Sequence, residues 1–435
     1  MKIEKLNAGN LSALKEAMTH RTPFAFPKEE AAVREILENI RKGGDRALLD
    51  YTKRFDGADL TAEGLRITRE EFEDAYRIVG EELTAILRRA AERIRVFHER
   101  EAEKSWFMTE ENGSLLGQRV LPMDRVGVYV PGGRASYPSS VLMNVIPAKV
   151  AGVKEIVMTT PCGKDGRVSP VTLVAADIAG VTEAYRVGGA QAIGALAYGT
   201  ETIRKTDKIT GPGNIYVALA KRQVYGAVSI DSVAGPSEIL VLCDETAKPE
   251  CVAADLLSQA EHDPLAAAIC VTTDEDLARR IEEEIKAQTA RRLRREIIER
   301  SLADYGHIFV AETIEDAVEA VNEIASEHLE VVTKEPFALL PKIRHAGAVF
   351  LGPHSSEPLG DYMAGPNHIL PTCGTARFFS PLSVHDFVKR SSVIYFTEEA
   401  LSALEKDIRA FAKSEGLTAH AAAIAVRFGE EESDI

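Results

Sequence analysis

Glu327 and His328 set a carboxylate and an imidazole side by side, between the helix-like run 314–324 and the apolar run 329–332. Two proton-transfer groups where helix meets strand in an α/β pattern are candidates for general acid and base work. Two further segments carry ligand-type residues. Gln259 and His262, three apart on a helix, project from one face about a turn apart and can touch one ion if that face lines a cleft. Asp255 shares the face as a rival ligand, Glu261 points elsewhere, and by spacing alone the pair also suits a solvated helix end. The run 360–368, Gly-Asp-Tyr-Met-Ala-Gly-Pro-Asn-His, is a polar loop studded with potential ligands, so the three segments together suggest a metal-assisted enzyme.

The histidines support a site assembled from distant segments. Eight of the ten lie at or after position 262, and His354, His368 and His420 sit in loop-like contexts. His307 and His345, beside apolar strands, read as ordinary structural residues, and His385 fits either role. The five cysteines form no C-x-x-C pair, so neither a disulfide framework nor a thiolate zinc site is indicated and a metal must bind nitrogen and oxygen. Cys243 and Cys270 lie in apolar strand-like runs and read as core filling.

The elements that must position these groups alternate regularly. Residues 1 to about 110 are amphipathic helical runs, 28–41 and 71–103, with Lys42-Gly-Gly-Asp45 as a turn and acidic cap. From about 118 the chain repeats strand, turn and helix, first up to 224 and again from 238 to 351, with one long helix over 275–299. The expected fold class is α/β: two Rossmann-like parallel-sheet units plus N-terminal helices and a small C-terminal helical tail domain. The expected limits are an N-terminal helical segment 1–24, a helical part 25–120 packing with the second α/β unit, a first unit 121–236, a second unit 237–380 and a tail 381–435. A tail this short cannot easily bury its own core, which favours packing on another domain or a partner subunit. Its acidic end, 430–434, reads as solvated.

Glycine corners follow several strands of the first unit: Pro131-Gly132-Gly133, Gly188-Gly189 and Gly211-Pro212-Gly213-Asn214. Glycine at the carboxyl end of parallel strands lets a ligand approach the backbone and a helix N-terminus. None reads G-x-G-x-x-G, yet three along one sheet edge favour a cofactor cleft. A fourth corner, 234–238, lies between the two units, where a substrate can be gripped from both sides.

Composition narrows the partners. A chain of 435 residues, 45% hydrophobic, can bury cores for about three domains of roughly 150 residues. A net charge of −15 without a basic patch disfavours nucleic acid and anionic membrane. Neither an apolar signal core nor a long apolar span stands out, so a cytoplasmic location is expected.

Several runs resemble the histidinol dehydrogenase family: Ser-Gln-Ala-Glu-His-Asp (258–263), Ser-Glu-His-Leu-Glu (326–330), the 360–368 loop and Glu-Gly-Leu-Thr-Ala-His (415–420). The corners at 127–133, 210–214 and 234–238 agree with it in order, so the resemblance covers nearly the whole chain. It implies one Zn2+ per subunit held by Gln259, His262, Asp361 and His420, and Glu327 and His328 as the acid/base pair. It also implies substrate contacts from Ser237, His368 and Glu415 together with the zinc ligands and His328. Tyr129, Gln191 and Asn214 would contact NAD. The implied reaction is a four-electron oxidation of histidinol, and the implied assembly is a homodimer whose tail domain reaches the other subunit. Two rivals stand beside this reading, a zinc-dependent hydrolase on an α/β scaffold and a non-catalytic nucleotide-binding or assembly protein. A hydrolase has no need of glycine corners along a second sheet.

Overall fold

The computed structural model describes residues 1–19, 21, 25–132 and 136–429. Gly133 of the first corner and the acidic end 430–434 lie outside the described residues. The chain divides into two compact bodies, residues 1–102 with 123–387, and residues 103–122 with 388–435.

The larger body holds two parallel sheets. In the first the strand order is Glu183–Arg186, Glu155–Thr160, Arg125–Tyr129, Lys208–Thr210, Ser229–Ile230. In the second it is Lys2–Lys5, Gly306–Val310, Ala267–Thr272, Glu238–Cys243, His328–Val332, Ala348–Leu351. Counted along the chain from Arg125 and from Glu238, both follow the order 3-2-1-4-5 of a Rossmann-like half, so the expected fold class is correct. Ile239 to Cys243 are fully buried, as a strand covered by helices on both faces requires.

The packing of the N-terminal helices differs from the sequence expectation. Helix Pro27–Phe55 lays Val33, Ile36, Leu37, Ile40 and Leu48 against Ile193 and Leu196, while helix Arg69–His98 packs Leu87 and Ile94 against the core of Val126, Leu142 and Leu173. Both cover the first sheet, not the second, because their apolar stripes complete its two faces. Residues 1–24 are not wholly helical either: Lys2–Lys5 adds a strand to the second sheet beside Gly306–Val310, ahead of helix Ala8–Thr19. The glycines at 43 and 44 do not end a helix. Gly44, at φ +55°, kinks it, and the Asp45 N–H donates to the Glu201 carboxylate at 2.7 Å. The run 275–299 forms two helices, Glu275–Thr289 and Arg295–Tyr305.

The smaller body contains an antiparallel sheet, Val388–Tyr395, Leu115–Pro122 and Trp106–Thr109, with helices Glu398–Ser414 and Thr418–Ala425. The tail therefore begins near 388 and takes in 103–122, which the sequence pattern assigns to the helical part. The hairpin pairs an exposed strand, Trp106–Thr109, with a half-buried one, Leu115–Pro122, so it shows little alternation, and its partner strand lies far along the chain.

At the amino edge of the first sheet the buried Arg125 guanidinium forks onto Glu183, at 3.0 and 2.9 Å, and onto Glu155. The hydrogen bond from Arg125 outweighs burial and holds the Glu183 carboxyl down at about 2. Its folded value lies below the unfolded one of about 4.3, so it contributes stability above that pH and loses it as the pH falls toward 2. The melting-temperature advantage of the native protein over Glu183→Gln should therefore shrink between pH 5 and 2.5, and a constant difference would contradict the pairing.

Candidate active site

Glu238 and His328 head adjacent strands of the second sheet, His328 standing opposite Ile239. Helix Ile314–Ile324 is closed by Ala325 in the left-handed region, φ +53°, which turns Ser326 and Glu327 toward that edge. Gly347 lies so close that a Cβ there would sit 2.5 Å from the Glu327 carbonyl oxygen. Glu327 and His328 thus lie at the amino edge of their sheet, opposite to the edge where α/β sheets usually take ligands.

One residue's backbone holds both. The Glu238 N–H donates to Glu327 Oε2 at 2.8 Å, and the Glu238 carbonyl lies 3.0 Å from His328 Nδ1. A carbonyl only accepts, so Nδ1 carries the hydrogen and Nε2 presents its lone pair. Nε2 is buried and without a hydrogen-bond partner among the described residues. Burial pushes the His328 imidazole down to about 4, so it is neutral at pH 7. Burial also pushes the Glu327 carboxyl well above the carboxylate range, and the charges of Glu238, Asp361 and Glu357 add to this against the Glu238 N–H. A cation in the site opposes that shift.

The potential ligands converge here. Helix Pro249–Ala260 ends at this edge, where Gln259 is buried and its Nε2 lies 3.3 Å from His262 Nδ1. Gln259 Oε1 is buried without a hydrogen-bond partner among the described residues. Burial lowers His262, leaving a neutral imidazole. Burial alone would raise Asp361, but His368, 3.3 Å away, with His328 and His262, holds its carboxyl below the usual range. A neutral imidazole, an ionised carboxylate and an unpartnered amide oxygen suit a divalent cation bound through nitrogen and oxygen. His328, Glu357 and Asp361 also offer ligand atoms within 4.8 Å of one another.

Glu357 is absent from the sequence expectation. It is buried, accepts from Ser258 Oγ at 3.0 Å, and its N–H donates to Glu330 at 2.7 Å. Nothing in its local run, Ser-Ser-Glu-Pro-Leu, signals burial. Ser237 precedes Glu238 and is half-buried. Glu415 and His420 belong to the smaller body, where they and Phe411 line a hollow of about 620 Å³.

The three residues expected at the cofactor gather at the carboxyl edge of the first sheet. Tyr129 ends the central strand and its hydroxyl accepts from the Gly189 N–H at 3.1 Å. Gln191 is buried with neither amide atom partnered among the described residues, and Asn214 caps helix Ile215–Val224 by accepting from Tyr216 and Val217. Gly211, at φ +118°, leaves no room for a Cβ, which would fall 2.0 Å from the Tyr129 carbonyl oxygen. Close-packed glycine corners at the carboxyl ends of parallel strands and a buried amide without a partner among the described residues are features that suit a dinucleotide.

A family model described as histidinol dehydrogenase matches residues 20–428. Histidinol dehydrogenases from Geobacillus kaustophilus and Bacillus subtilis are 56% and 53% identical, over 99% and 98% of this chain and 100% and 99% of their own. The crystal structure of histidinol dehydrogenase from Elizabethkingia anophelis superposes with a TM-score of 0.91 at 37% identity, covering 98% of this chain and 97% of that one. The chain belongs to the histidinol dehydrogenase family. Membership makes it an oxidoreductase and sets aside the hydrolase and binding-protein readings. Among the described residues no helix is long and apolar enough to cross a membrane.

Behind the site, burial together with Asp255 and Glu357 holds the Glu330 carboxyl in its protonated form at neutral pH. Glu330→Gln, which mimics that form, should cost under about 1 kcal/mol. A raised folded value loses stability as pH climbs above the unfolded one. With both proteins measured in chelator, the urea midpoint of Glu330→Gln should therefore gain on that of the native protein from pH 6 to 9, and parallel midpoints would contradict a protonated Glu330.

Proposed function

We propose that this chain oxidises L-histidinol to L-histidine through histidinaldehyde, reducing two NAD molecules in turn, as the last step of histidine biosynthesis. The observation that carries this reading is the pair of bases held by the Glu238 backbone, one imidazole with a free lone pair and one carboxyl, at adjacent positions. An alcohol-to-acid conversion needs two proton acceptors at one carbon.

In the first oxidation His328 Nε2 takes the hydroxyl proton while hydride leaves the same carbon, giving the aldehyde. In the second, Glu327 takes a proton from water as its oxygen adds to the aldehyde, and the hydrate loses the second hydride. The balance is one alcohol, one water and two oxidised cofactors to one carboxylate, two reduced cofactors and three protons. When bound, NAD accepts each hydride and zinc, held by Gln259, His262, Asp361 and His420, keeps the imidazole and amino nitrogens of the substrate in one orientation. Tyr129, Gln191 and Asn214 meet the cofactor. Ser237, His368 and Glu415 meet the substrate.

The chain acts in this reading as a cytoplasmic homodimer with one zinc per subunit, the smaller body supplying Glu415 and His420 to the other copy's site. That body is small for independent stability, which favours such an exchange.

His262→Asn should lower zinc content and activity together while the far-ultraviolet circular dichroism stays native, and full activity in a zinc-depleted variant would overturn the ligand role. Glu327→Gln should slow aldehyde oxidation by about 10²–10⁴-fold and alcohol oxidation less. Assays started separately from histidinol and histidinaldehyde decide this, and equal losses would reject the division of labour.

A further inference from the structure

Arg21 is a fully buried cation contributed by the N-terminal segment, more than two hundred residues from the bases in sequence. Its Nη1 donates to Glu238 Oε1 at 3.0 Å, and its Nη2 donates to the carbonyls of Pro236 and Ser237, both at 3.1 Å. Its Nε donates to the Leu265 carbonyl at 2.5 Å, in the turn that follows His262. The guanidinium lies 5.1 Å from the centre of the Tyr305 ring. One planar fork therefore joins the substrate-binding strand head to the turn after a zinc ligand. Lysine, a point charge on a flexible stem, cannot span these acceptors.

Two features separate this arrangement from ordinary core pairing. Three of the acceptors are consecutive residues, 236–238, and it is the backbone of the last that bonds to Glu327 and His328. The other anchors of this segment are also polar: Thr372 Oγ1 accepts from the Gly235 N–H at 2.7 Å, and Glu238 Oε1 accepts from the Cys373 N–H at 3.1 Å. A segment held by directional bonds at both ends keeps its peptide planes aimed, which apolar packing alone does not ensure.

We propose that Arg21 is a positioning residue for the oxidation, fixing segment 236–238 so that the Glu238 backbone aims both bases at one carbon and Ser237 at the substrate. The proposal rests on the function argued above. Arg21 does not touch the reacting atoms. It acts through Glu238, so both half-reactions depend on it equally, whereas the cofactor corners on the first sheet do not.

The test compares Arg21→Met and Arg21→Lys as zinc-loaded enzymes, with kcat expressed per folded molecule. A displacement of about 1 Å costs on the order of 10²-fold in rate. Arg21→Met should lose about that much kcat from histidinol and from histidinaldehyde alike, with a raised KM for histidinol, weaker calorimetric histidinol binding and an unchanged KM for NAD. Arg21→Lys, which keeps the charge but not the fork, should recover part of the kcat. A lowered melting temperature with native kcat and native histidinol affinity would overturn the proposal and leave Arg21 as a purely structural pair. If Arg21→Met does not accumulate as folded protein, Arg21→Lys decides: equal kcat losses in both halves support the proposal, and native kcat rejects it. A native enzyme that failed to oxidise histidinol would strike the function itself, while native activity in both variants strikes only the role of Arg21.

Discussion

Glu238 offers its N–H to a carboxylate and its C=O to an imidazole, and the rest of the site depends on that residue's backbone. The carbonyl fixes which nitrogen of His328 carries hydrogen. The N–H fixes which way Glu327 points. Because the residue heads a strand buried on both faces, neither direction can drift without breaking ladder bonds to Ala267–Thr272 or His328–Val332. Burial keeps the imidazole neutral with its lone pair available, whereas it holds the carboxyl protonated, and a cation in the site is what would favour the ionised form.

The location at the amino edge follows from how helices cover the second sheet. Helix Pro249–Ala260 runs back against the strands, so its C-terminal end arrives beside the strand heads with Gln259 and the turn bearing His262. The partial negative charge at a helix C-terminus favours a cation there. On the first sheet the glycine corners lie at the opposite, carboxyl edge, where Gly211 packs closely on the Tyr129 carbonyl and the Gly189 N–H bonds to the Tyr129 hydroxyl. Two units of the same strand order thereby present different groups, one Glu327, His328 and the potential metal ligands, the other the glycine corners that suit a dinucleotide.

Much of this was legible in the chain. Alternating apolar runs and glycine corners disclose two parallel sheets, and Glu327 and His328, adjacent in sequence, do lie together on the Glu238 backbone. Gln259, His262 and Asp361 stand out by residue type and spacing. The hidden features are those defined by distant partners. An amphipathic stripe on Pro27–Phe55 shows that a face is buried but not which sheet buries it. The four-residue strand Lys2–Lys5 is too short to display a period, and the hairpin over 106–122 has weak alternation. Glu357 and Arg21 read as ordinary surface charges until the chain folds around them, because burial of a charge is a property of its neighbours in space.

The stoichiometry of the complete reaction tests the account most directly. With a limiting amount of histidinol and excess NAD, two reduced cofactors should appear for each histidine formed, with no aldehyde released. One reduced cofactor with aldehyde accumulating, or histidinol consumed without cofactor reduction, would contradict a site in which two bases on one strand head serve the same carbon.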